Sequence, residues 1–167
     1  MTLYDLAEGI RKCSSCPLYK NRLLAIPGEG SINSRIMIIG DYPSKEDDRR
    51  GIPFSDSVLI EMLKEVGINK KDFFMTNLVK CHGKNNTKSY STCKNLWLEK
   101  QIGLIEPKII VLMGSVVLNT FLRGKSLKDF HGRLIDNYFI TLHPKFIKNR
   151  KVILKDFKRL KKVIDKL

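Results

Sequence analysis

The sequence has few acidic residues for its number of basic ones, and it has no long apolar run. Its 167 residues include 31 Lys or Arg against 17 Asp or Glu, which gives a net charge of +14 at pH 7. Such an excess indicates a polyanionic partner, most simply nucleic acid, although a solvated lysine-rich surface would give the same balance. No stretch approaches the roughly 20 apolar residues of a membrane-spanning helix, so no membrane partner is expected.

The glycine-rich patterns of nucleotide-binding enzymes are also missing. The turn at 40–44 has neither the lysine of a phosphate-binding loop nor a G-x-G-x-x-G sequence. Both patterns use glycines to bring backbone N–H groups close to phosphates. Their absence argues against an NTPase and against a nucleotide-dependent dehydrogenase.

Cysteine is scarce, and its spacing is the most informative feature of the chain. There is one close pair, Cys13 and Cys16, followed by the single residues Cys81 and Cys93. Four thiols are the ligand set of a tetrahedral zinc ion or of an iron–sulfur cluster. Two disulfides, or four unrelated buried cysteines, are the alternatives. Because polar and charged residues flank these cysteines, we favour a metal centre.

The first residues of the chain bear on the disulfide alternative. The segment 1–5 does not contain the apolar run of a signal peptide, so we expect a cytoplasmic protein. Thiols in that compartment stay reduced, which disfavours disulfides.

Short apolar runs alternate with helical patterns along the chain. Buried strands are predicted at 35–40, 73–79, 108–114 and 138–142. Helices are predicted at 2–12, 56–66, 93–105 and 115–122, with a basic amphipathic helix within 145–167. This alternation predicts an α/β fold in one domain, a three-layer α/β/α sandwich with a central four-stranded parallel sheet.

Polar residues follow the predicted strands where a parallel sheet binds its ligands. Asp41 follows the first strand, Asn77 ends the second, and His143 follows the fourth. Each of these residues alone is an ordinary loop hydrogen-bonder. Because the carboxyl ends of parallel strands meet at one edge, we expect the three side chains to converge there.

Ordered sequence blocks cover nearly the whole chain. They are C-x-x-C-x-L at 13–18, P-G-E-G at 27–30, G-D-Y-P-S at 40–44, E-D at 46–47, G-I-P-F at 51–54, T-N-L-V-K-C at 76–81, the segment 105–114 and H-P at 143–144. In these blocks the chain resembles the family 4 uracil-DNA glycosylases, the iron–sulfur branch that includes phage-polymerase-associated homologues. The resemblance implies a single glycosylase domain over 1–167.

The resemblance also implies a cofactor and a reaction. The cofactor would be a structural [4Fe–4S] cluster on Cys13, Cys16, Cys81 and Cys93, with zinc as the less favoured alternative. The reaction would be hydrolysis of the N-glycosidic bond of deoxyuridine in DNA, the first step of base-excision repair. A base stacked in DNA must be flipped out before this chemistry can occur.

Four residues acquire roles in that reaction. Phe54 would stack on the extruded base, and the Asn77 amide would bind uracil O4 and N3–H, an order of acceptor and donor that cytosine reverses. His143 would donate a hydrogen bond to O2, where negative charge builds as the bond breaks. The Asp41 carboxylate would polarise the attacking water or offset positive charge on the sugar.

The residues behind His143 are predicted to contact DNA. Lys145, Lys148 and Arg150 would bind flanking phosphates, and Phe146 or Ile147 would wedge into the gap left by the base. The expected partner is therefore uracil-containing DNA, with replication or repair proteins as further partners and a monomer as the default state.

Three positions depart from the family pattern. Asp41 replaces a glutamate, Tyr42 stands where a small residue is usual, and Ser44 replaces a glycine. Tyr42 and Ser44 are expected to line the base pocket, where Tyr42 could exclude the methyl group of thymine. These changes keep two alternatives open: a DNA- or uracil-binding relative with little turnover, acting in replication or phage–host conflict, and a glycosylase for another modified or deaminated base.

Overall fold

The structure is a computed structural model that describes residues 1–84, 87–145 and 147–167, with the backbone alone at Ile147. Its centre is a sheet of five strands in the order β2-β1-β3-β5-β4. The strands are β1 (Ile36–Gly40), β2 (Phe73–Asn77), β3 (Ile109–Met113), β4 (Leu134–Ile135) and β5 (Tyr138–Thr141). The first four in spatial order are parallel, which confirms the four predicted strands.

The fifth strand, β4, was not predicted, so the expectation of a four-stranded, wholly parallel sheet is corrected. β4 is antiparallel to β5 and only two residues long. A strand that short carries no alternation of apolar and polar residues. The turn between the two strands places Asp136 at φ +53°, a left-handed conformation that Asp tolerates better than most residues.

Eight α-helices surround the sheet in the described part of the chain. They are α1 (Leu3–Arg11), α2 (Lys45–Arg50), α3 (Leu59–Glu65), α4 (Thr87–Cys93), α5 (Glu99–Ile105), α6 (Ser115–Phe121), α7 (Leu127–Phe130) and α8 (Arg150–Ile164). A π-helical segment, Lys94–Leu98, joins α4 to α5. The helix predicted at 93–105 therefore begins earlier, whereas the one predicted at 56–66 begins later.

Both faces of the sheet are covered, as the three-layer prediction requires. Ile36 and Ile38 of β1 pack with apolar residues of α3 and α8, whereas Met37 and Ile39 pack with residues of α5 and α6. This alternation follows from the two-residue period of a strand. No helix among the described residues is long and apolar enough to cross a membrane.

Candidate active site

The carboxyl ends of β1 and β2 meet at Gly40 and Asn77, which are paired in register. A methyl group at Gly40 would lie 2.5 Å from Asn77 Oδ1 and 2.8 Å from the Phe54 ring. The Asn77 amide and the Phe54 ring therefore pack together over a backbone that has no room for a side chain. Both residues are buried. Two of the predicted base-binding residues thus lie side by side.

Phe54 has a strained backbone that the neighbouring loop holds in place. Its φ is +57°, a conformation that costs a residue other than glycine on the order of 1–3 kcal/mol. The buried Asp47 carboxylate accepts hydrogen bonds from the backbone N–H and the hydroxyl of Ser55, both at 2.7 Å. Asp47 also accepts from the backbone N–H of Ser44. Asp47 thus fixes both ends of the loop that presents Phe54, a role that sequence reasoning missed.

Ser44 borders the same cavity as Phe54 but has a structural task. Its hydroxyl oxygen accepts the backbone N–H of Asp47 and so caps α2, and the hydroxyl donates to Asp56 at 3.0 Å. The hydroxyl of Ser44 is therefore engaged on both sides. The predicted contact with the base would have to come from the remainder of this residue.

His143 is held as a neutral hydrogen-bond donor. Its Nδ1 accepts the backbone N–H of Lys145 at 3.2 Å, which leaves the proton of the neutral ring on Nε2. Burial, the largest cause, together with the Lys145 charge lowers the pKa of His143 from 6.5 to about 4, and Asp47 acts in the opposite sense. The imidazole lies beside the Phe54 ring, with 6.3 Å between ring centroids.

Asp41 lies at the same edge of the sheet and is partly desolvated. Burial raises the pKa of this carboxyl, while a hydrogen bond from the Tyr90 hydroxyl and the charge of Lys145 lower it. Its Oδ1 is buried and has no hydrogen-bond partner in the described chain, and the same holds for Asn77 Oδ1. Burial together with Asp41 raises the pKa of Tyr90 to about 12. No spacing in the sequence connects Tyr90 on α4 with Asp41.

Two cavities flank Tyr42 at this edge. One, of about 220 Å³, is bordered by Phe54, Ser44 and His143. The other, of about 250 Å³, is bordered by Asp41 and His143 together with Gly114 and Ser115 after β3. Tyr42 and Lys145 border both, and the Lys145 ammonium lies 4.5 Å from the centroid of the Tyr42 ring. The two spaces therefore share this cation–π pair in their walls.

The predicted DNA-contacting residues are only partly brought to this site. Lys145 is exposed at the cavities and Lys148 is exposed beyond them. Arg150 forms an ion pair with Glu65 at 2.7 Å, so its guanidinium is already engaged. Phe146 and the side chain of Ile147 lie outside the described residues, and the wedge assigned to them stays a prediction.

All four cysteines line one small cavity between α1, the 13–22 segment and the α4–α5 helix. None of them forms a disulfide. Trp97 donates its indole N–H to Cys13 Sγ at 3.2 Å, and Arg22 donates to Cys81 Sγ at 3.2 Å. N–H donors aimed at sulfur are the usual surroundings of metal-bound thiolates.

Whether these cysteines can hold a metal centre depends on the width of that centre. No three His, Cys, Asp or Glu side chains of the described chain are grouped so as to hold a single metal ion. Four thiols around a shared cavity nevertheless supply the complete ligand set of a [4Fe–4S] cluster, which is wider than one ion. The donor set fits either group, since four cysteine thiols also form structural zinc sites.

Lys80 connects the cysteine cavity to the strand end. It borders the cavity, is 1% exposed, and points its ammonium at three acceptors: Thr76 Oγ1 and Gln101 Oε1 at 2.6 Å, and the Asn77 carbonyl oxygen at 2.7 Å. Three acceptors match the three donors of an ammonium group. A buried lysine in a T-N-L-V-K-C run was not singled out by sequence reasoning.

Comparison with known proteins can now be set beside this geometry. The sequence model of the uracil DNA glycosylase superfamily matches residues 27–167. The chain belongs to that superfamily. It is 33% identical to the Type-4 uracil-DNA glycosylase of Thermotoga maritima, with 96% of this chain and 94% of the relative covered. Type-4 uracil-DNA glycosylases of Pyrobaculum aerophilum and Saccharolobus solfataricus are 30% and 31% identical, each over 95% of this chain and over 91% and 85% of their own lengths. The membership expected from the sequence blocks is confirmed.

Proposed function

We propose that this superfamily member is a uracil-DNA glycosylase that hydrolyses the N-glycosidic bond of flipped-out deoxyuridine during base-excision repair. One observation carries the proposal: the unpartnered Oδ1 of the buried Asn77 lies beside the Phe54 ring at the strand end where Asp41 and His143 also lie. A flat ring with an N–H at its edge would supply what this arrangement is missing. Uracil has both features.

Base recognition rests on Asn77 and Phe54. The Oδ1 of Asn77 accepts from N3–H of uracil, while its amide N–H group donates to O4. Cytosine carries an acceptor at N3 and a donor at N4, so it meets the amide with both hydrogen bonds reversed. Phe54 contributes a stacking surface that is sequence-tolerant, so discrimination falls on Asn77.

Bond cleavage rests on His143 and Asp41. As the bond between C1′ and N1 of uracil breaks, negative charge collects on the base, and the Nε2–H of neutral His143 donates to O2. Water adds to C1′, and its proton passes toward the Asp41 carboxylate, whose raised pKa makes it a better acceptor. The products are an abasic sugar and the uracil anion, which takes up a proton to give free uracil.

The remaining predicted residues support binding and folding. Lys145 and Lys148 are exposed and would contact phosphates next to the flipped nucleotide. The four cysteines would hold a [4Fe–4S] cluster that ties α1 and the 13–22 segment to the loop after β2. When bound, that cluster would act as a structural cross-link in this single domain.

A second candidate is a DNA-binding relative with little turnover, and the Tyr42–Lys145 pair favours it. The phenol ring under an ammonium group borders both cavities, one of which Asp41 also lines. A nucleotide that cannot displace this pair would bind without reacting.

Excision from a labelled oligonucleotide with one U:G pair separates the candidates, with T:G and undamaged duplexes as controls. Alkali-sensitive cleavage at uracil alone is the expected result. An unchanged oligonucleotide, from folded protein that still binds it, would contradict the glycosylase proposal and favour the binding module.

A further inference from the structure

The outer face of α8 carries a straight row of four lysines. Lys151, Lys155, Lys158 and Lys162 are all exposed, whereas Ile153, Phe157 and Leu160 on the opposite side are buried. At 3.6 residues per turn the four lysines fall within about 60° of one another around the helix axis and span about 16 Å along it. We call these four residues the α8 stripe.

The α8 stripe has no partner within the described protein. The structure shows no ion pair for any of the four lysines in residues 1–84, 87–145 and 147–167. The one acidic residue within α8, Asp156, and the acidic C-cap residue, Asp165, both bind other groups. Asp156 is buried against His131 and Thr141, and Asp165 pairs with Lys161.

This arrangement works against the stability of the helix. Lysines at spacings of three and four residues repel one another, by about 0.2–0.5 kcal/mol for each such pair. A surface helix selected for stability alone would mix the two signs of charge along its exposed face. A local rule broken without a gain in folding points to a function.

The position of the stripe relates it to the candidate active site. α8 begins just after the 143–148 segment and runs along one face of the sheet. Its far end is at the opposite edge, where Ile164 and Leu167 border a cavity with Ile36 at the start of β1. The stripe therefore extends the positive charge of Lys145 and Lys148 away from the excision site.

We propose that the α8 stripe binds the phosphate backbone of DNA flanking the excision site, an inference that rests on the proposed function. Lysine ammonium groups are point charges suited to phosphate oxygens, and they need no fixed geometry. An acidic protein is a poorer fit, because protein interfaces derive most of their energy from buried aromatic and Arg anchors. Val152 is the one exposed large apolar residue that borders the row, at 38% exposure.

The test compares two triple variants on undamaged DNA, so that it does not depend on excision. The first variant changes Lys155, Lys158 and Lys162 to Gln and leaves Lys151, the residue nearest the site, in place. The control changes the exposed Lys12, Lys20 and Lys108 to Gln and therefore removes the same charge elsewhere. Affinity is measured across salt concentrations for duplex and single-stranded oligonucleotides, with circular dichroism as the check on folding.

Each lysine that contacts a phosphate contributes about 0.9 to the slope of log affinity against log salt on duplex DNA and about 0.7 on single strands. We expect the stripe variant to lose about 2 to 3 units of slope while the control keeps the wild-type slope. If the slope falls on the duplex oligonucleotide, the DNA bound beside the excision site is duplex. If it falls on the single strand, that DNA is single-stranded. Equal losses in both variants, or no loss in either, would overturn the proposal. An unchanged DNA affinity with impaired capture of an acidic protein would also overturn it.

If the wild type excises uracil and the stripe variant loses DNA affinity, both proposals are supported. If the wild type excises nothing but the stripe variant still loses slope, the function proposal fails and the stripe proposal stands.

Discussion

The ammonium nitrogen of Lys80 lies 2.7 Å from the backbone carbonyl oxygen of Asn77. The same group donates to Thr76 and Gln101, and both of those side chains donate to the carbonyl oxygen of Pro27. One buried network thus joins the cysteine cavity, the 27–30 segment and the residue proposed to read the base. The network holds the backbone of Asn77 through its carbonyl oxygen.

Replacing Lys80 with Met should lower the free energy of unfolding sharply. The change shortens the unbranched side chain by one atom and leaves three buried acceptors without a donor, at about 1–3 kcal/mol each. We expect a loss of at least about 3 kcal/mol by denaturant titration, against no measurable change for Lys108→Met at an exposed site. Equal stability of the two variants would show that the network does not hold the strand end.

Replacing Asn77 with Ala should remove uracil recognition and leave the fold intact. The two hydrogen bonds lost in a buried pocket predict a fall in kcat/KM of about 10- to 100-fold on a U:G oligonucleotide. The exposed Asn21→Ala serves as the matched control. Preserved discrimination between uracil and cytosine in the Asn77 variant would sink the role assigned to this amide.

His143 should contribute no step to the pH profile of activity in the range where an ordinary histidine titrates. Because the pKa of His143 is lowered from 6.5 to about 4, its ring stays neutral down to that pH and protonates only below it. Protonation of Asp41 removes its acceptor in the same direction, as pH falls through the raised pKa of that carboxyl. The profile of kcat/KM should therefore show no step from His143 near pH 6.5, and its acid limb should follow the protonation of Asp41.

The check is a full pH profile of wild type beside His143→Ala, which removes the donor. The variant should lose about 10²- to 10³-fold in kcat, as expected for one donor to a developing anion. An acid limb centred near pH 6.5 in the wild type that disappears in the His143 variant would show that the ring titrates normally and is not held neutral.

The parts of this architecture that the sequence predicts are those with a local signal. The four parallel strands are continuous apolar runs, and Asp41, Asn77 and His143 follow from the rule that ligands bind at strand ends. Tyr90 and Lys80 lie outside such rules, since their partners are defined by the packing of α4 and α5 and not by spacing. The left-handed backbone of Phe54 and the capping role of Ser44 likewise depend on Asp47, which reads in sequence as one of several helix-start acids.

Replacing Tyr42 with Ala should broaden substrate choice. Without the phenol ring, the cavities on its two sides would join, and the Lys145 ammonium would lose its aromatic contact. We expect thymine excision from T:G to become measurable while uracil excision is retained, because Asn77 reads edge groups that the two bases share. Tyr4→Ala, at a 72% exposed position, is the control, and a T:G duplex still resistant to the Tyr42 variant would remove this residue from specificity.

Replacing Cys81 with Ser should release the metal. This thiol is buried among the other three, burial raises its pKa to about 11, and the Arg22 hydrogen bond opposes that rise. A thiol so reluctant to ionise becomes a thiolate only when a metal or another positive charge stabilises it. We expect wild-type protein to carry iron and sulfide with visible absorbance, and the variant to lose both together with much of its thermal stability.

Ser14→Ala, at an exposed position between Cys13 and Cys16, is the control and should keep the wild-type iron content. Wild-type protein that is folded, colourless and bound to one zinc ion would replace the cluster assignment with zinc. Folded protein free of any metal would show instead that Lys80 and the four thiols form an ordinary buried polar core.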